Sequence, residues 1–373
     1  MEKQKSDSGI KLYTYMNDGV RNIMTQAFRN FLGNPKEAIF LTRMSKVFEK
    51  AEQKRKEMSE RYRVNIPPFL ICSIANTCNL ACAGCYARKN GIAGDDDNKK
   101  TTLTPGEWKK IFDEAAEIGI TFALLAGGEP LTRKDLLDEI AKVKDIIFPV
   151  FTNGTLIGPI YLSFFNKNRN MIPVISIEGF QYGTDKRRGQ GVYKKTVESM
   201  QLLSEKKLFF GVSITVTTEN MNFVTSDEFL SQLRDWGCKL LFYVEYVPIE
   251  EGSEHLALND EATERMKQLV DKVRDRYKEI IFLSFPGDEK ELGGCLASGR
   301  GFFHIAPDGN AEPCPFSPHS DCNVKEVGIK ETLKSPLFKA LRDAETLKWE
   351  HSGGCTLYEH REEIEEMINN LKS

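Results

Sequence analysis

The sequence lacks long blocks of basic residues, and acidic residues slightly outnumber basic ones. Its 51 Lys and Arg face 54 Asp and Glu, which gives a formal net charge of -3. Proteins that bind nucleic acid through its phosphates need a basic surface. We therefore do not expect nucleic acid as a partner.

The sequence also lacks a long apolar run. The N-terminal segment MEKQKSDSGI has no apolar core of the signal-peptide kind, and no window approaches the roughly 18 apolar residues that a membrane span needs. We expect a cytoplasmic location and no membrane span. Disulfides are rare in that compartment, so the nine cysteines are expected to be metal ligands or free thiols.

Three of these cysteines lie close together in the run TCNLACAGCYA. Cys78, Cys82 and Cys85 have the spacing Cys-x3-Cys-x2-Cys, so their thiolates can hold a metal centre and leave one position open. Structural zinc usually takes four ligands from paired knuckles, and the nearest other cysteines are Cys72, in an apolar run, and the distant Cys238. A cubane iron-sulphur cluster fits this spacing better than zinc.

The pattern of apolar residues predicts an α/β protein. With 373 residues, a main domain of roughly 200 residues and a smaller one are expected. The first 65 residues have helical periodicity, and short β-branched or aromatic runs then alternate with helical segments, which indicates β/α units on a parallel sheet. The predicted strands are 69–75, 121–126, 147–152, 172–177, 209–217 and 240–247, with a last strand near 280–285.

These elements predict three regions. Residues 1–65 form a helical N-terminal extension, residues 66–285 a β/α domain, and residues 286–373 a small C-terminal domain, because the β/α pattern stops there. Six units favour a partial (β/α)6 TIM-like barrel over an open doubly wound sheet, although periodicity alone does not separate the two. In a barrel of this kind the active site lies at the C-terminal ends of the strands.

The end of the second predicted strand carries Gly127-Gly128-Glu129-Pro130. The glycines let the backbone approach a ligand closely, and the carboxylate can accept hydrogen bonds from an ammonium group. Such a turn alone is weak evidence, because Gly-Gly and Glu-Pro also form ordinary β-turns. Its place on the strand after the cysteine loop makes it a strong indication of a binding site.

The cysteine loop and this turn resemble the motifs of the radical S-adenosylmethionine (radical SAM) superfamily. In that family three cysteines bind a [4Fe-4S] cluster, and its unique iron chelates the amino and carboxylate groups of SAM. The run Thr152-Asn153-Gly154 and the pair Ser176 and Arg188 are similar to further motifs of the family. One departure is that an aromatic residue commonly precedes the third cysteine there, whereas Gly84 does here.

The resemblance implies a partial barrel and assigns roles to individual residues. The GGE motif would hold the amino group of SAM, Ser176 would touch its ribose or carboxylate, and Arg188, or its neighbour Arg187, would pair with the carboxylate. For Asn153 a purely structural turn is an equal alternative. The predicted cofactor contacts are Tyr86, Gly127, Gly128, Glu129, Asn153, Ser176 and Arg188.

Glu245 is the predicted catalytic residue. It is an acidic residue in an otherwise uncharged strand, which makes it a candidate substrate contact or general base if burial raises its pKa. A salt bridge at the strand end is an equal alternative.

The C-terminal region contains a second cysteine set, Cys295, Cys314, Cys322 and Cys355. Thirteen residues separate Cys295 from Gly309, and four separate Gly309 from Cys314, which is similar to the opening of twitch and SPASM auxiliary-cluster domains. A hairpin over 301–310 with an Asp-Gly turn would bring Cys295 and Cys314 together. We predict one auxiliary iron-sulphur cluster, of the [4Fe-4S] type, held by these four cysteines.

Two alternatives stay open for this second set. Spacing does not exclude zinc, and His304, His319 and His351 are alternative ligands. If all four cysteines bind the cluster, no iron is left for the substrate, so electron transfer becomes the favoured role.

The predicted function is that of an oxidoreductase or transferase of the radical SAM type. A flavodoxin or ferredoxin would reduce the first cluster, and SAM would yield methionine and a 5'-deoxyadenosyl radical that abstracts hydrogen from a substrate carbon. The substrate is expected to be a ribosomally made peptide precursor or a small metabolite. A non-catalytic iron-sulphur electron carrier or scaffold is the alternative, but it would need neither the GGE motif nor Arg188.

Overall fold

A computed structural model describes residues 35–94, 101–287, 294–344, 347 and 355–372. Its centre is one nine-stranded sheet, in which the first seven strands follow each other in chain order and pair in parallel. The strands are β1 (Phe69–Ala75), β2 (Phe122–Gly127), β3 (Phe148–Thr152), β4 (Met171–Ser176), β5 (Gly211–Val216), β6 (Leu240–Glu245), β7 (Ile281–Phe285), β8 (His304–Ile305) and β9 (Ala311–Glu312). The predicted partial TIM-like barrel is confirmed, and each of its strands lies within two residues of its predicted bounds.

Helices connect the strands and cover the outside of the sheet. They are α1 (Pro35–Tyr62), α2 (Tyr86–Lys89), α3 (Pro105–Glu117), α4 (Lys134–Ile140), α5 (Pro159–Lys167), α6 (Gln181–Arg188), α7 (Val192–Glu205), α8 (Met221–Val224), α9 (Asp227–Asp235), α10 (Asp260–Arg276), α11 (Val324–Thr332), α12 (Pro336–Asp343), α13 (Thr356–Glu359) and α14 (Arg361–Lys372). None of these described helices is both long and apolar enough to cross a membrane.

Helix α3 shows how local sequence sets these elements. It begins with a capping box, in which Thr104 accepts from the backbone of Glu107 and the Glu107 side chain accepts from the backbone of Thr104, as the sequence predicts. Its inner face buries Trp108 and Phe112 completely, and Phe112 packs edge-on against Phe148 of β3. Capping and burial thus fix this helix against the sheet.

Helix α1 closes the N-terminal end of the barrel. Leu41, Met44 and Phe48 share a buried cluster with Leu240 and Ile281, the first residues of β6 and β7. This confirms the predicted helical extension for residues 35–62. The remaining predicted helical residues, 1–34, lie outside the described residues.

The C-terminal region adds a β-hairpin to the barrel sheet. β8 and β9 pair antiparallel around Asp308 and Gly309, which confirms the predicted hairpin. β8 also pairs in parallel with β1, so that His304 lies beside Ile71. The sequence did not predict this junction, which makes the region beyond residue 285 continuous with the barrel sheet.

Candidate active site

A cavity of about 310 Å³ lies at the C-terminal ends of the barrel strands, and cysteines from both sets line it. The loop after β1 contributes Cys78, Cys82 and Cys85. The C-terminal region contributes three cysteines of the second set, the first of which is Cys295. The other predicted residues in its wall are Tyr86, Gly127, Gly128, Glu129, Asn153, Ser176, Arg188, Glu245, Cys314 and Cys355. The fold therefore brings together residues that lie far apart in the sequence.

The two glycines of the GGE motif allow β2 to approach the cysteine loop. A Cβ on Gly128 would lie 1.9 Å from the carbonyl oxygen of Thr77, and a Cβ on Gly127 would lie 2.5 Å from that of Ala75. Across this gap the backbone amide of Gly128 donates to the carbonyl of Ala75 and that of Glu129 to the carbonyl of Thr77, each at 2.7 Å. Backbone contact with the start of the cysteine loop therefore requires glycine here, whatever ligand is present.

The carboxylate of Glu129 is buried and oriented by three donors. Its Oε1 accepts from the backbone of Leu131 at 3.0 Å and from Thr152 Oγ1 at 2.7 Å, and its Oε2 accepts from the backbone of Asn153 at 2.8 Å. Burial raises the pKa of Glu129, and these hydrogen bonds oppose that rise. A carboxylate accepts about four hydrogen bonds, so this one keeps capacity for an ammonium group.

Asn153 positions the cysteine loop. Its Nδ2 donates to Asn79 Oδ1 at 2.8 Å, and its Oδ1 accepts from the backbone and hydroxyl of Thr155. Asn79 directly follows Cys78, so Asn153 ties the end of β3 to the metal-binding segment. Its side chain thus has a structural role as well as a place in the cavity wall.

Glu178 joins the two arginines that the sequence could not separate. Arg188 donates to its Oε1 through Nε and Nη2, and Arg187 donates to the same oxygen and, at 2.8 Å, to Thr215 Oγ1. The backbone of Thr215 donates to Oε2 at 3.1 Å. The backbone carbonyl of Arg187 also accepts from the amide of Ala83, so this charged group is attached to the cysteine loop.

The surroundings of Cys78 and Cys82 change the pKa values of their thiols. Burial raises the pKa of Cys78 to about 11. Burial also raises the pKa of Cys82, whereas the positive charges of Arg188 and Arg187 lower it. Thiolates rather than thiols bind metal, so cluster assembly must displace protons from these residues.

Three of the four cysteines of the second set lie close together. Cys314 lies next to Cys355 and near Cys295, and its pKa is raised by a hydrogen bond with Cys355 and by burial. Cys322 is not in the cavity wall, and its Sγ lies 3.9 Å from Thr332 Oγ1. Its carbonyl accepts from the backbone of Ala311, which holds Cys322 beside β9.

The alternative histidine ligands are not supported by the described residues. His304 is completely buried, and its two ring nitrogens lie 2.6 Å from Glu312 Oε2 and 2.8 Å from Ser73 Oγ. His319 does not line the cavity. His351 lies outside the described residues.

Tyr246 is a cavity residue that was assigned no role from the sequence. A Cβ on Gly84 would lie 2.7 Å from Cε2 of the Tyr246 ring, so this ring packs directly on the glycine before the third cysteine. In the sequence, the only pointer to this ring was the glycine at position 84, where the family commonly has an aromatic residue. Tyr246 follows Glu245, which is buried in the cavity wall at the C-terminal end of β6.

The donor groups fit iron-sulphur chemistry. Two sets of three thiols face one cavity, and none of the cysteines forms a disulfide; such clusters are held by Cys thiolates. Among the described residues, no three His, Cys, Asp or Glu side chains are close enough to bind one shared ion. A cubane presents different irons to its ligands, so its thiolates stand further apart than the ligands of a single ion.

Known proteins share both the sequence pattern and the fold. The family model of the radical SAM superfamily matches residues 72–231. The AdoMet-dependent heme synthase of Methanosarcina barkeri (strain Fusaro / DSM 804) is 28% identical over 326 residues, which cover 80% of this chain and 90% of that protein. The PqqA peptide cyclase of Bradyrhizobium diazoefficiens is 27% identical over 277 residues, which cover 69% of this chain and 69% of that protein.

A solved structure agrees with the fold. Streptococcus suis SuiB bound to S-adenosylmethionine superposes with a TM-score of 0.63 at 16% identity, over 79% of this chain and 72% of that chain. At this identity the likeness describes the fold alone.

Proposed function

Because this chain is an enzyme of the radical SAM superfamily, we propose that Cys78, Cys82 and Cys85 hold the cluster at which it cleaves SAM. A [4Fe-4S] cluster bound there supplies the electron that splits SAM into methionine and a 5'-deoxyadenosyl radical. The observation that carries this proposal is the convergence of the cysteine loop, Glu129 and Arg188 on one cavity.

The protein's part is to hold both charged ends of the methionine moiety. Glu129 would accept from the amino group, because its carboxylate is already oriented by three donors. Arg188 would pair with the carboxylate, because Glu178 fixes its guanidinium beside Cys82. Charged groups that are fixed in advance bind a ligand with less loss of entropy.

We further propose an auxiliary cluster with three cysteine ligands, Cys295, Cys314 and Cys355. Cys322 does not line the cavity, and its Sγ contacts Thr332 Oγ1, which supports three ligands rather than four. One iron would then have no cysteine ligand, and it would face the cavity that the first set also lines. This arrangement favours contact of that iron with the substrate over a role in electron transfer alone.

The relatives suggest two classes of substrate. One relative is named a heme synthase and another a peptide cyclase, so the substrate would be a small metabolite or a peptide. Glu245 would contact this substrate from the end of β6. We also propose that the enzyme is cytoplasmic and that a flavodoxin or ferredoxin reduces its first cluster.

Anaerobic reconstitution of the full chain with iron and sulphide tests the proposed function. The reconstituted protein should bind about eight irons, as two cubane clusters would, and should form 5'-deoxyadenosine from SAM and dithionite. Omission of dithionite is the matched control. A protein with eight irons that yields no 5'-deoxyadenosine would contradict SAM cleavage.

A further inference from the structure

A buried chain of hydrogen bonds connects the two cysteine-bearing segments. Ser73 of β1 and His304 of β8 are completely buried, with Oγ and Nε2 2.8 Å apart, and His304 Nδ1 lies 2.6 Å from Glu312 of β9. The Tyr86 side chain adds a hydrogen bond to Ser73. Ser73, His304 and Glu312 do not line the cavity, whereas Tyr86 does.

The chemistry of the groups gives every member of this chain a partner. The ionised carboxylate of Glu312 only accepts, so His304 donates to it from Nδ1. The hydroxyl of Ser73 can both donate and accept, so it bonds to Nε2 of His304 on one side and to the hydroxyl of Tyr86 on the other. A fully partnered buried network stabilises one unique arrangement of its members.

The ends of the chain lie beside the metal-binding residues. Tyr86 follows Cys85 directly, and Glu312 precedes Cys314 by two residues. Ser73 stands on β1, the strand that leads into the first cysteine loop. The chain therefore joins the segment of the first cysteine set to that of the second.

Two further contacts connect the same segments. The ring of Tyr86 packs against that of Phe316 with their centroids 5.2 Å apart. In addition, Asn90 Nδ2 donates to the backbone carbonyl of Pro315 at 2.9 Å. Pro315 and Phe316 immediately follow Cys314, so Tyr86 lies in the wall between the two sets.

We propose that the chain Tyr86–Ser73–His304–Glu312 fixes the separation and orientation of the two metal centres. Tyr86 and Ser73 are positioning residues in this scheme and do not themselves react. The inference rests on the proposed function, because it assumes a cluster in each set. A substrate at the auxiliary centre then stands at a set distance from the site of radical formation.

The test uses the reconstituted full chain and two conservative variants. Tyr86→Phe keeps the ring but removes the hydroxyl, and Ser73→Ala removes one buried oxygen. The readout is the magnetic splitting between the two reduced clusters in the electron paramagnetic resonance spectrum of dithionite-reduced protein. A role confined to stability would leave this splitting unchanged in any folded, fully loaded variant.

Two control variants lose comparable hydrogen bonds elsewhere. Tyr243→Phe removes a buried hydroxyl that donates to Val224 at 2.8 Å, and Thr225→Val removes one that donates to Met221 at 2.7 Å. We expect the splitting of the wild type in both controls, and loss or broadening of it in Tyr86→Phe and Ser73→Ala at unchanged iron content.

The outcomes separate the two proposals. A wild-type splitting in both positioning variants, with both clusters present, would overturn the proposed chain and leave the enzyme function intact. A wild-type protein that takes up only one cluster would overturn the two-cluster function and this inference with it.

Discussion

Arg188 donates to one oxygen of Glu178 through two nitrogens, Nε at 2.9 Å and Nη2 at 2.6 Å. Arg187 donates to the same oxygen, and the Glu178 side chain is only 4% exposed. One buried carboxylate therefore orients two cations beside the cysteine loop. This carboxylate therefore organises the charged groups next to the first cysteine set.

Replacing Glu178 by Gln should strongly destabilise the protein. Two partly buried guanidinium groups would lose their carboxylate, and removal of one partner from a buried ion pair typically costs about 3 kcal/mol or more. Urea denaturation measures this loss. The control Glu219→Gln removes the exposed partner of Lys186 and should cost less than about 1 kcal/mol; equal losses in both variants would contradict the prediction.

Cys322→Ala should keep the iron content of the wild type. The Cys322 side chain contacts Thr332 and lies outside the cavity, so its loss removes no cluster ligand. Cys314→Ala, in contrast, should lose roughly half of the iron, as should a variant with Cys78, Cys82 and Cys85 all changed to Ala. Loss of iron on changing Cys322 would show that it is a fourth ligand.

Gly84→Ala should destabilise the cysteine loop for two separable reasons. Gly84 has a φ of +65°, which strains residues with a side chain, and its Cβ would contact the Tyr246 ring. The backbone strain alone costs roughly 1–3 kcal/mol, measurable by chemical denaturation. In the double variant with Tyr246→Leu, the steric part should disappear and the backbone part remain; identical losses in single and double variants would exclude a clash with Tyr246.

Glu107 should stabilise the protein above about pH 4.5 and lose this contribution in acid. Hydrogen bonds from Lys325 and from the backbone and side chain of Thr104 lower the pKa of Glu107 to about 2. Because the folded-state pKa lies below the ordinary value of 4.5, this contribution is complete above pH 4.5 and is lost as the pH falls towards 2. The free energy of unfolding of Glu107→Gln should therefore fall less steeply over that range.

The matched control for this measurement is Glu117→Gln. Glu117 is an exposed residue in the last turn of the same helix. Its variant should keep the acid slope of the wild type. If Glu107→Gln also keeps the acid slope of the wild type, the contact between Glu107 and Lys325 does not hold α3 and α11 together in solution.

The sequence predicted the barrel well because its signals are local. A β-branched run such as 172–177 and the capping box at Thr104 act within a few residues, and both appear as predicted. The predicted strand 209–217 was longer than Gly211–Val216, because apolar residues at a strand's ends continue its pattern after the ladder has stopped.

The arrangement of the second cysteine set was beyond the reach of spacing. Distance along the chain does not tell on which side of a hairpin a residue lies, and the backbone contact between Cys322 and Ala311 decides that. His304 failed as a ligand for a similar reason, since its partners Ser73 and Glu312 come from two different strands. Such contacts form only once the chain has folded.

Because β8 pairs with β1, the barrel cannot be separated from the C-terminal hairpin without uncovering a strand edge. A barrel that ended after residue 285 would expose the backbone amides and carbonyls of β1 that now pair with β8. Uncovered edge strands of this kind readily recruit other chains and aggregate. The hairpin that leads to Cys314 thus also protects the barrel from self-association, and the barrel should be produced and studied together with it.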